Sequence, residues 1–146
     1  MISALEIQSV PIECINQAAT RYHVPATLIL SILIVEKGMN GIASRNQNGT
    51  FDYGPMQINS IWLSKIRLYG YTRHQLQYDP CVNVNVGTWI LSNAIAKHAS
   101  NLWEGVGNYH SLTPRLNQNY QIKVFKVYRL LVNYLSRPNN SQSPVQ

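Results

Sequence analysis

Residues 28–36 read Leu-Ile-Leu-Ser-Ile-Leu-Ile-Val-Glu, an apolar run that one serine interrupts and a glutamate ends. A helix that is apolar on nearly every face is typical of the buried centre of a small helical domain. We expect this helix to begin at Pro25 and to be ended by Gly38. Because burial disfavours the charged form of a carboxyl group, the position of Glu36 predicts a raised pKa. A carboxyl group that is protonated near neutral pH can act as a general acid.

A second carboxyl group, Asp52, follows in a segment rich in Asn and Gly. Residues 39–57 lack helical periodicity, which predicts a turn-rich segment or a short irregular hairpin of the kind that often carries function. Cleavage of a glycosidic bond needs a proton donor and stabilisation of an oxocarbenium-like centre, often by a second carboxylate. Two simpler interpretations stay open: Glu36 as the polar end of a helix, and Asp52 as a turn residue that bonds its own backbone.

Helical patterns occupy most of the remaining chain, so the sequence predicts a mainly α fold. Asp79-Pro80 is typical of a helix start, and Thr72 with Gln75 has the spacing of a capping box. In the last helix, Tyr120, Val124, Val127 and Leu131 form a predicted core stripe. The predicted helices are 11–23, 25–35, 60–68, a short turn from 72, 80–99, 103–109 and a last one from Pro114.

Length and composition predict one domain. The chain has 146 residues, of which 45% are hydrophobic, enough for a core of ordinary size. We assign residues 11–136 to this domain, residues 1–10 to an N-terminal extension and residues 137–146 to a flexible polar tail.

The charge balance favours an anionic partner. Lys and Arg number 12 against 6 Asp and Glu, for a net charge of +6 and an isoelectric point near 9.5. The basic residues are scattered, so charge alone does not choose among nucleic acid, a membrane surface and an anionic wall polymer. The densest set, Lys123, Lys126 and Arg129, is typical of an ordinary solvated helix face.

Cys14 and Cys81 lack the CxxC spacing of a zinc site or a dithiol redox motif. A single long-range disulfide in an oxidising compartment and two buried free thiols both remain open. The disulfide would stabilise the fold by about 4 kcal/mol in the chain-entropy model.

Several function classes lack their sequence signatures. The four histidines have no HxxxH or HExxH spacing, and no GxSxG, P-loop or GxGxxG occurs, so we expect no metal and no other cofactor. No segment of 18 apolar residues predicts a transmembrane helix. The first residues have no basic region followed by an apolar stretch, so we expect any export signal to have been removed. Most aromatic residues are predicted core, with Tyr53 and Tyr109 as candidate contacts to sugar.

Four segments together resemble the lysozyme-like fold, and specifically the small lytic transglycosylases associated with secretion systems, conjugation and type IV pili. The resemblance spans roughly residues 12–132 and includes the helix glycine Gly87. Its motifs are Glu36 after the apolar helix, Asp-Tyr-Gly-Pro-Met-Gln-Ile-Asn-Ser at 52–60, Asp-Pro-Cys at 79–81 and Trp-Glu-Gly-Val-Gly-Asn-Tyr at 103–109. The segment 44–60 is equally similar to the corresponding loop of animal-type lysozymes, whose Asp assists a glutamic acid.

This resemblance implies a role for each site residue. Glu36 corresponds to the single acid/base that cleaves the bond between N-acetylmuramic acid and N-acetylglucosamine with formation of a 1,6-anhydro product. Asp52 is the possible assistant, and Tyr109 corresponds to a tyrosine that orients the glutamate. Cys14 and Cys81 match the disulfide positions of this subgroup. The implied substrate-binding residues are Tyr53, Gly54, Met56, Gln57, Ile58, Asn108 and His110.

Three positions depart from the family pattern. Lys37 replaces a common Ser after the glutamate, and an ammonium there favours the ionised carboxylate. Pro55 replaces a usual Leu, and His110 replaces an expected substrate-contacting Asn.

The sequence therefore predicts a periplasmic enzyme that cuts peptidoglycan locally during secretion-system, conjugation or pilus assembly, with assembly proteins as possible partners. A muramidase that hydrolyses the same bond with Glu36 and Asp52 is the first alternative. A non-catalytic peptidoglycan-binding assembly protein is the second. A nucleic-acid partner is not expected, because the basic residues form no stripe with interleaved aromatics.

Overall fold

A computed structural model describes residues 6–97 and 101–138. The described residues form seven α-helices, a two-stranded hairpin and a three-stranded sheet, which confirms the mainly α fold. In chain order the elements are β1 (Glu6–Ile7), β2 (Val10–Pro11), α1 (Ile12–Tyr22), α2 (Ala26–Glu36), β3 (Ala43–Arg45), β4 (Phe51–Tyr53), β5 (Ile58–Asn59), a 3₁₀ turn (Ser60–Trp62), α3 (Leu63–Arg67), α4 (Arg73–Tyr78), α5 (Pro80–Lys97), α6 (Leu102–His110) and α7 (Pro114–Leu135).

Helix α2 is the buried centre of the domain, as its sequence predicts. Leu28, Ile29, Ile32 and Leu33 are at most 1% exposed, and the helix packs against both α1 and α7. The single polar residue inside the run, Ser31, donates its hydroxyl to the Thr27 carbonyl at 2.6 Å. Burial of its polar group therefore leaves no unpaired donor.

The end of α2 differs from the prediction. The helix stops at Glu36, and Lys37 rather than Gly38 is the left-handed residue that caps it, with φ 56°. Gly38 is needed for another reason: a side chain there would collide with the carbonyl oxygens of Gly54 and Pro55. The backbone after Glu36 therefore lies directly against the loop that follows β4.

The predicted hairpin is confirmed and is extended by a third strand. Strand β3 pairs antiparallel with β4, which pairs antiparallel with β5, so Asp52 lies opposite both Ser44 and Asn59. The tight turn between β4 and β5 contains the motif residues 54–57, with Gly54 at φ 66°.

Asn83, a fully buried residue of α5, joins this turn to the helical lobe. Its Oδ1 accepts from the Met56 N–H at 2.9 Å, and its Nδ2 donates to the carbonyls of Tyr53 and Leu76, each at 2.9 Å. One turn along α5, any side chain on Gly87 would collide with Met56. The turn is thus held by hydrogen bonds and by close packing.

The remaining helices lie close to their predicted positions, with local differences in where they begin and end. The capping box of Thr72 and Gln75 is present, and Asp79 Oδ1 accepts from the first amides of α5. The predicted helix 60–68 divides into a 3₁₀ turn and the short α3. In α7, Tyr120 and Val124 are buried, whereas Lys123, Lys126 and Arg129 form an exposed face.

The disulfide between Cys14 and Cys81 is present and joins α1 to α5. Within the predicted extension 1–10, residues 6–10 belong to the first hairpin, which ends at Pro11, and Val10 is fully buried in the core. The rest of that extension, residues 1–5, and the tail residues 139–146 lie outside the described residues.

Over the described ranges, the structure has no helix long and apolar enough to cross a membrane.

The central position of Asn83 gives a stability prediction. Asn83→Leu keeps a similar volume but leaves the Met56 N–H and two carbonyls buried without their partner, so we expect a loss of about 2–4 kcal/mol in the free energy of unfolding. Urea denaturation measures this loss. The control Asn93→Leu changes an exposed residue of the same helix and should stay within about 0.5 kcal/mol of wild type. Equal effects of both variants would contradict the assigned role of Asn83.

Candidate active site

Glu36 lies at the last turn of α2, where this helix packs against α7. Its carboxyl oxygen Oε1 accepts a hydrogen bond of 2.8 Å from the Tyr120 hydroxyl. Tyr120 is only 4% exposed, so the core holds the donor in place. The structure therefore fixes one oxygen of the glutamate and leaves its side chain half-buried.

Burial sets the protonation of this carboxyl group. The pKa of Glu36 is raised from 4.5 to about 7, and desolvation is the largest cause. The Tyr120 hydrogen bond lowers the pKa, the negative charge of Asp52 raises it, and the positive charge of Lys123 lowers it. The raised pKa predicted from the sequence is thus present. The cation that acts on Glu36 is Lys123 of α7 rather than the predicted Lys37, which is exposed at the helix end.

Asp52 lies in β4 and is held by its neighbour in the sheet. The Asn59 Nδ2 donates to Asp52 Oδ1 at 3.0 Å, and the same amide donates to the Thr50 hydroxyl. The Asp52 charge acts on the pKa values of Glu36, Tyr109 and His110. Glu36, Tyr109 and His110 are therefore all within electrostatic range of Asp52.

Tyr109 is predicted to orient Glu36, but its hydroxyl does not form a hydrogen bond with Glu36. Its hydroxyl donates to the Met56 carbonyl at 2.8 Å, and its ring stacks on Tyr120 with centroids 6.5 Å apart. Burial and the carboxylate charges raise the pKa of both tyrosines well above the usual range. Both hydroxyls therefore remain protonated donors, and Tyr120 is the one that bonds to the glutamate.

Most of the predicted substrate-binding residues between 53 and 58 lie below the surface. Tyr53, Met56 and Ile58 are at most 5% exposed, and Gly54 is also buried. The side chains of Tyr53, Met56 and Ile58 support the turn from the core side, and Met56 is 0% exposed. Gln57 is half-buried, at φ 52°, and its Nε2 donates to the Gly54 carbonyl at 2.9 Å.

His110 reaches the site from the end of α6, and Asn108 of the same helix is held by α7. The buried Asn117 of α7 donates to Asn108 Oδ1 at 2.7 Å and to the Ser111 carbonyl at 3.1 Å, which holds this end of α6 against α7. The His110 ring stacks on Tyr120 with centroids 4.7 Å apart. Burial and the Lys123 charge lower the pKa of His110, so its imidazole is neutral at neutral pH.

The chemistry of the site is that of carboxyl groups and hydroxyl donors. Within the described ranges, no group of three or more His, Cys, Asp or Glu is arranged to hold a metal ion. A protonated carboxyl with a pKa of about 7 can donate a proton near neutral pH and accept one in a following step.

Sequence reasoning missed several residues of this network: Tyr120, Asn59, Asn117 and Lys123. The position of Tyr120 on the apolar stripe of α7 predicts a core residue, and periodicity does not show where a buried hydroxyl points. The nearest available signal was its type, because a buried tyrosine hydroxyl usually has a partner.

Comparison with known proteins identifies the family of the chain. The family described as "Transglycosylase SLT domain" matches residues 13–129. The "Invasion protein IagB" of Salmonella typhimurium is 31% identical over an alignment of 147 positions that covers 97% of this chain and 91% of the relative. "Protein IpgF" of Shigella sonnei is 32% identical over 88% of this chain and 86% of the relative. A "Peptidoglycan-binding-like protein" of Escherichia coli O157:H7 is 25% identical over 89% and 82%.

The lysozyme-like fold and the family match define a glycan-cleaving enzyme. The chain belongs to the transglycosylase SLT family, which makes it a lytic transglycosylase with peptidoglycan as its substrate.

The raised pKa of Glu36 gives a prediction that needs no activity assay. The folded protein binds this proton more tightly than the unfolded chain, so folding loses stability as the pH rises from 4.5 to about 7. Glu36→Gln removes this loss, and we expect its free energy of unfolding to exceed that of wild type by up to about 3 kcal/mol at pH 8. The difference should shrink toward pH 4.

Urea denaturation across this pH range measures the difference. Glu13→Gln is the charge-matched control, because Glu13 is exposed in the first turn of α1. A pH-dependent gain of the same size in the control would show that the effect is not specific to Glu36.

Proposed function

We propose that Glu36 is the single acid/base for cleavage of the β-1,4 bond between N-acetylmuramic acid and N-acetylglucosamine. The observation that carries this proposal is the carboxyl group at the end of α2, held by Tyr120 and with a pKa of about 7. A general acid works best when its pKa is near the working pH. An ordinary exposed glutamate would be almost fully ionised there.

The reaction has two proton transfers. Glu36 donates its proton to the glycosidic oxygen as the bond from that oxygen to C1 of the muramic residue breaks. The resulting carboxylate then accepts the proton of the muramic 6-hydroxyl while O6 forms a bond to C1. No water is consumed, the product is a 1,6-anhydromuramic end, and Glu36 returns to its protonated form.

The other site residues have supporting roles in this proposal. Asp52, held by Asn59, stabilises the oxocarbenium-like centre or orients the substrate acetamido group. Gln57, Asn108 and His110 are the half-buried or exposed groups that contact sugar. Tyr109 acts indirectly, because its hydrogen bond fixes the turn of Met56, over which the glycan passes.

One observation favours a second candidate, a muramidase that hydrolyses the same bond. Asp52 is held in place by Asn59, and its charge raises the Glu36 pKa, which is the division of roles between two carboxyl groups that a retaining glycosidase uses. In that reaction water, rather than the 6-hydroxyl, completes the cleavage.

The cellular role in this proposal is local cutting of the wall in the periplasm during assembly of a secretion, conjugation or pilus apparatus. Its support is the disulfide between Cys14 and Cys81, which suits an oxidising compartment, and the likeness to a relative named as an invasion protein. The net charge of +6 suits a polymer that carries carboxylates. Assembly proteins of such an apparatus are the proposed partners.

Mass spectrometry of digested peptidoglycan tests the reaction. We expect muropeptides with 1,6-anhydro ends, lighter by one water than hydrolytic products. Glu36→Gln should lower the rate by at least about 10²-fold, because general acid catalysis is lost. The control Glu104→Gln changes an exposed carboxyl of α6 and should retain the rate.

Three outcomes of that experiment would contradict the proposal. Reducing muramic ends as the main product would favour the muramidase. Unchanged cleavage by Glu36→Gln would remove the assigned acid. Wall binding without cleavage by wild type would favour a non-catalytic assembly protein, for which Lys37, Pro55 and His110 are the departures to examine.

The charge of Lys123 gives a prediction on pH dependence. Activity requires protonated Glu36, so kcat/KM should fall as the pH rises through about 7. Lys123 lowers the Glu36 pKa, and Lys123→Met should therefore move this decline to higher pH. Lys126→Met removes an exposed charge from the same helix and is the control. A decline that moves to lower pH in Lys123→Met would contradict the assigned electrostatics.

A further inference from the structure

A cavity of about 310 Å³ lies between the end of α1, the segment after α3 and the middle of α5. Its volume is at the lower end of the range for ligand sites, about 300–1,000 Å³. Its principal lining residues are Arg21, Tyr22, Tyr69, Tyr71, Asn85 and Trp89. None of them belongs to the active site described above.

The cavity and the active site lie on opposite faces of α5. Asn83 and Gly87 contact the turn that carries Met56, whereas Asn85 and Trp89 line the cavity. At 100° per residue, these two pairs point to opposite sides of a helix. The cavity is therefore a separate feature.

The lining combines flat rings with hydrogen-bond donors. Tyr69 packs at a tilt on Trp89 with ring centroids 5.7 Å apart, and it is 66% exposed. The Asn85 amide donates to the Tyr71 hydroxyl at 3.3 Å. Aromatic faces with amide and hydroxyl groups at their edges suit a sugar ring, which has an apolar face and a polar rim.

Positively charged side chains near the cavity favour a ligand that carries a negative charge. The Arg21 guanidinium lies 5.5 Å from the Tyr22 ring centroid, and the Lys65 ammonium lies 5.5 Å from that of Trp89. No lining residue in the described part of the chain carries a carboxyl group. The cavity thus favours a ligand with a carboxylate, and Arg suits that group through two parallel hydrogen bonds.

A second cavity, of about 260 Å³, shares Arg21, Tyr71 and Asn85 with the first and continues past the Cys14–Cys81 disulfide. The two together form a groove along α1 and α5. An extended groove suits a segment of polymer better than a single small molecule.

We propose that this groove is a second glycan-binding site, which holds the carboxylated muramic residues of a peptidoglycan strand away from the catalytic acid. The identity of the polymer rests on the proposed function. Through this site the enzyme stays attached to the wall while Glu36 acts on a strand elsewhere. The site raises local substrate concentration through multivalent binding.

NMR titration of a protein with Glu36→Gln tests the site without turnover. The probes are the disaccharide of N-acetylglucosamine and N-acetylmuramic acid, neutral chitobiose and the free stem peptide. The chain has three tryptophans, and their indole NMR signals report on different parts of the protein. Trp89 lines the groove, whereas Trp103 packs on Phe125 and Tyr128 and is the internal control.

We expect the muramic disaccharide to shift the Trp89 signal and to leave Trp103 unchanged, with chitobiose binding more weakly. Arg21→Glu should weaken binding at this site by at least about tenfold, because a charge-assisted hydrogen bond is replaced by repulsion. Tyr69→Ser should also weaken it. The matched controls are Arg129→Glu, exposed on α7, and Tyr134→Ser, whose 71% exposure is close to that of Tyr69.

Four results would overturn the inference. The first is a Trp89 signal that the muramic disaccharide does not shift, and the second is chitobiose binding as strong as that of the muramic disaccharide. The third is binding of the stem peptide without binding of the sugars, which would indicate a peptide site. The fourth is a loss of binding in the control variants as large as in Arg21→Glu and Tyr69→Ser. Unfolding free energies of all variants exclude loss of fold as the cause. An inactive wild type whose Trp89 responds would refute the proposed function alone, whereas an active wild type with a silent groove would refute only this inference.

Discussion

The backbone of Met56 is the point on which the site depends, because side chains from two different helices hold it. Its N–H donates to the buried Asn83 of α5, and its carbonyl accepts from Tyr109 of α6. A tight turn of this kind has few backbone bonds of its own, so these two side chains fix its position. Tyr109 also stacks on Tyr120, which bonds to Glu36. The turn that contains Met56 and the carboxyl group of Glu36 therefore belong to one network.

The acidity of Glu36 follows from a balance in which burial is the largest contribution. An apolar helix brings the carboxyl group to a place with little water, and the cost of ionisation there exceeds the stabilisation that Tyr120 and Lys123 give to the anion. The result is a group close to half-protonated at neutral pH. The same burial costs folding stability above the Glu36 pKa, which is a common compromise at active sites.

The sequence was sufficient for the helices and for the acid, because both depend on local patterns. The unbroken apolar run predicts a buried α2, and a carboxyl group at its end predicts a raised pKa. The sequence does not show where a side chain points. It contains both Tyr120 and Tyr109, but only the packing of the helices decides which hydroxyl bonds to Glu36 and which bonds to Met56. Burial of Met56 and Ile58, and the choice of Lys123 over Lys37, likewise depend on contacts between distant segments. Val10 is buried for the same reason, despite its place near the N-terminus.

The most direct test of this account is the Glu36 pKa itself. Carbon-detected NMR of glutamate carboxyl groups, with the Glu36 resonance assigned by comparison with Glu36→Gln, follows its titration site by site. The account predicts a midpoint at about pH 7. A midpoint near the ordinary value of 4.5 would show that the carboxyl group is ionised in the free enzyme at neutral pH and would contradict its role as the resident general acid.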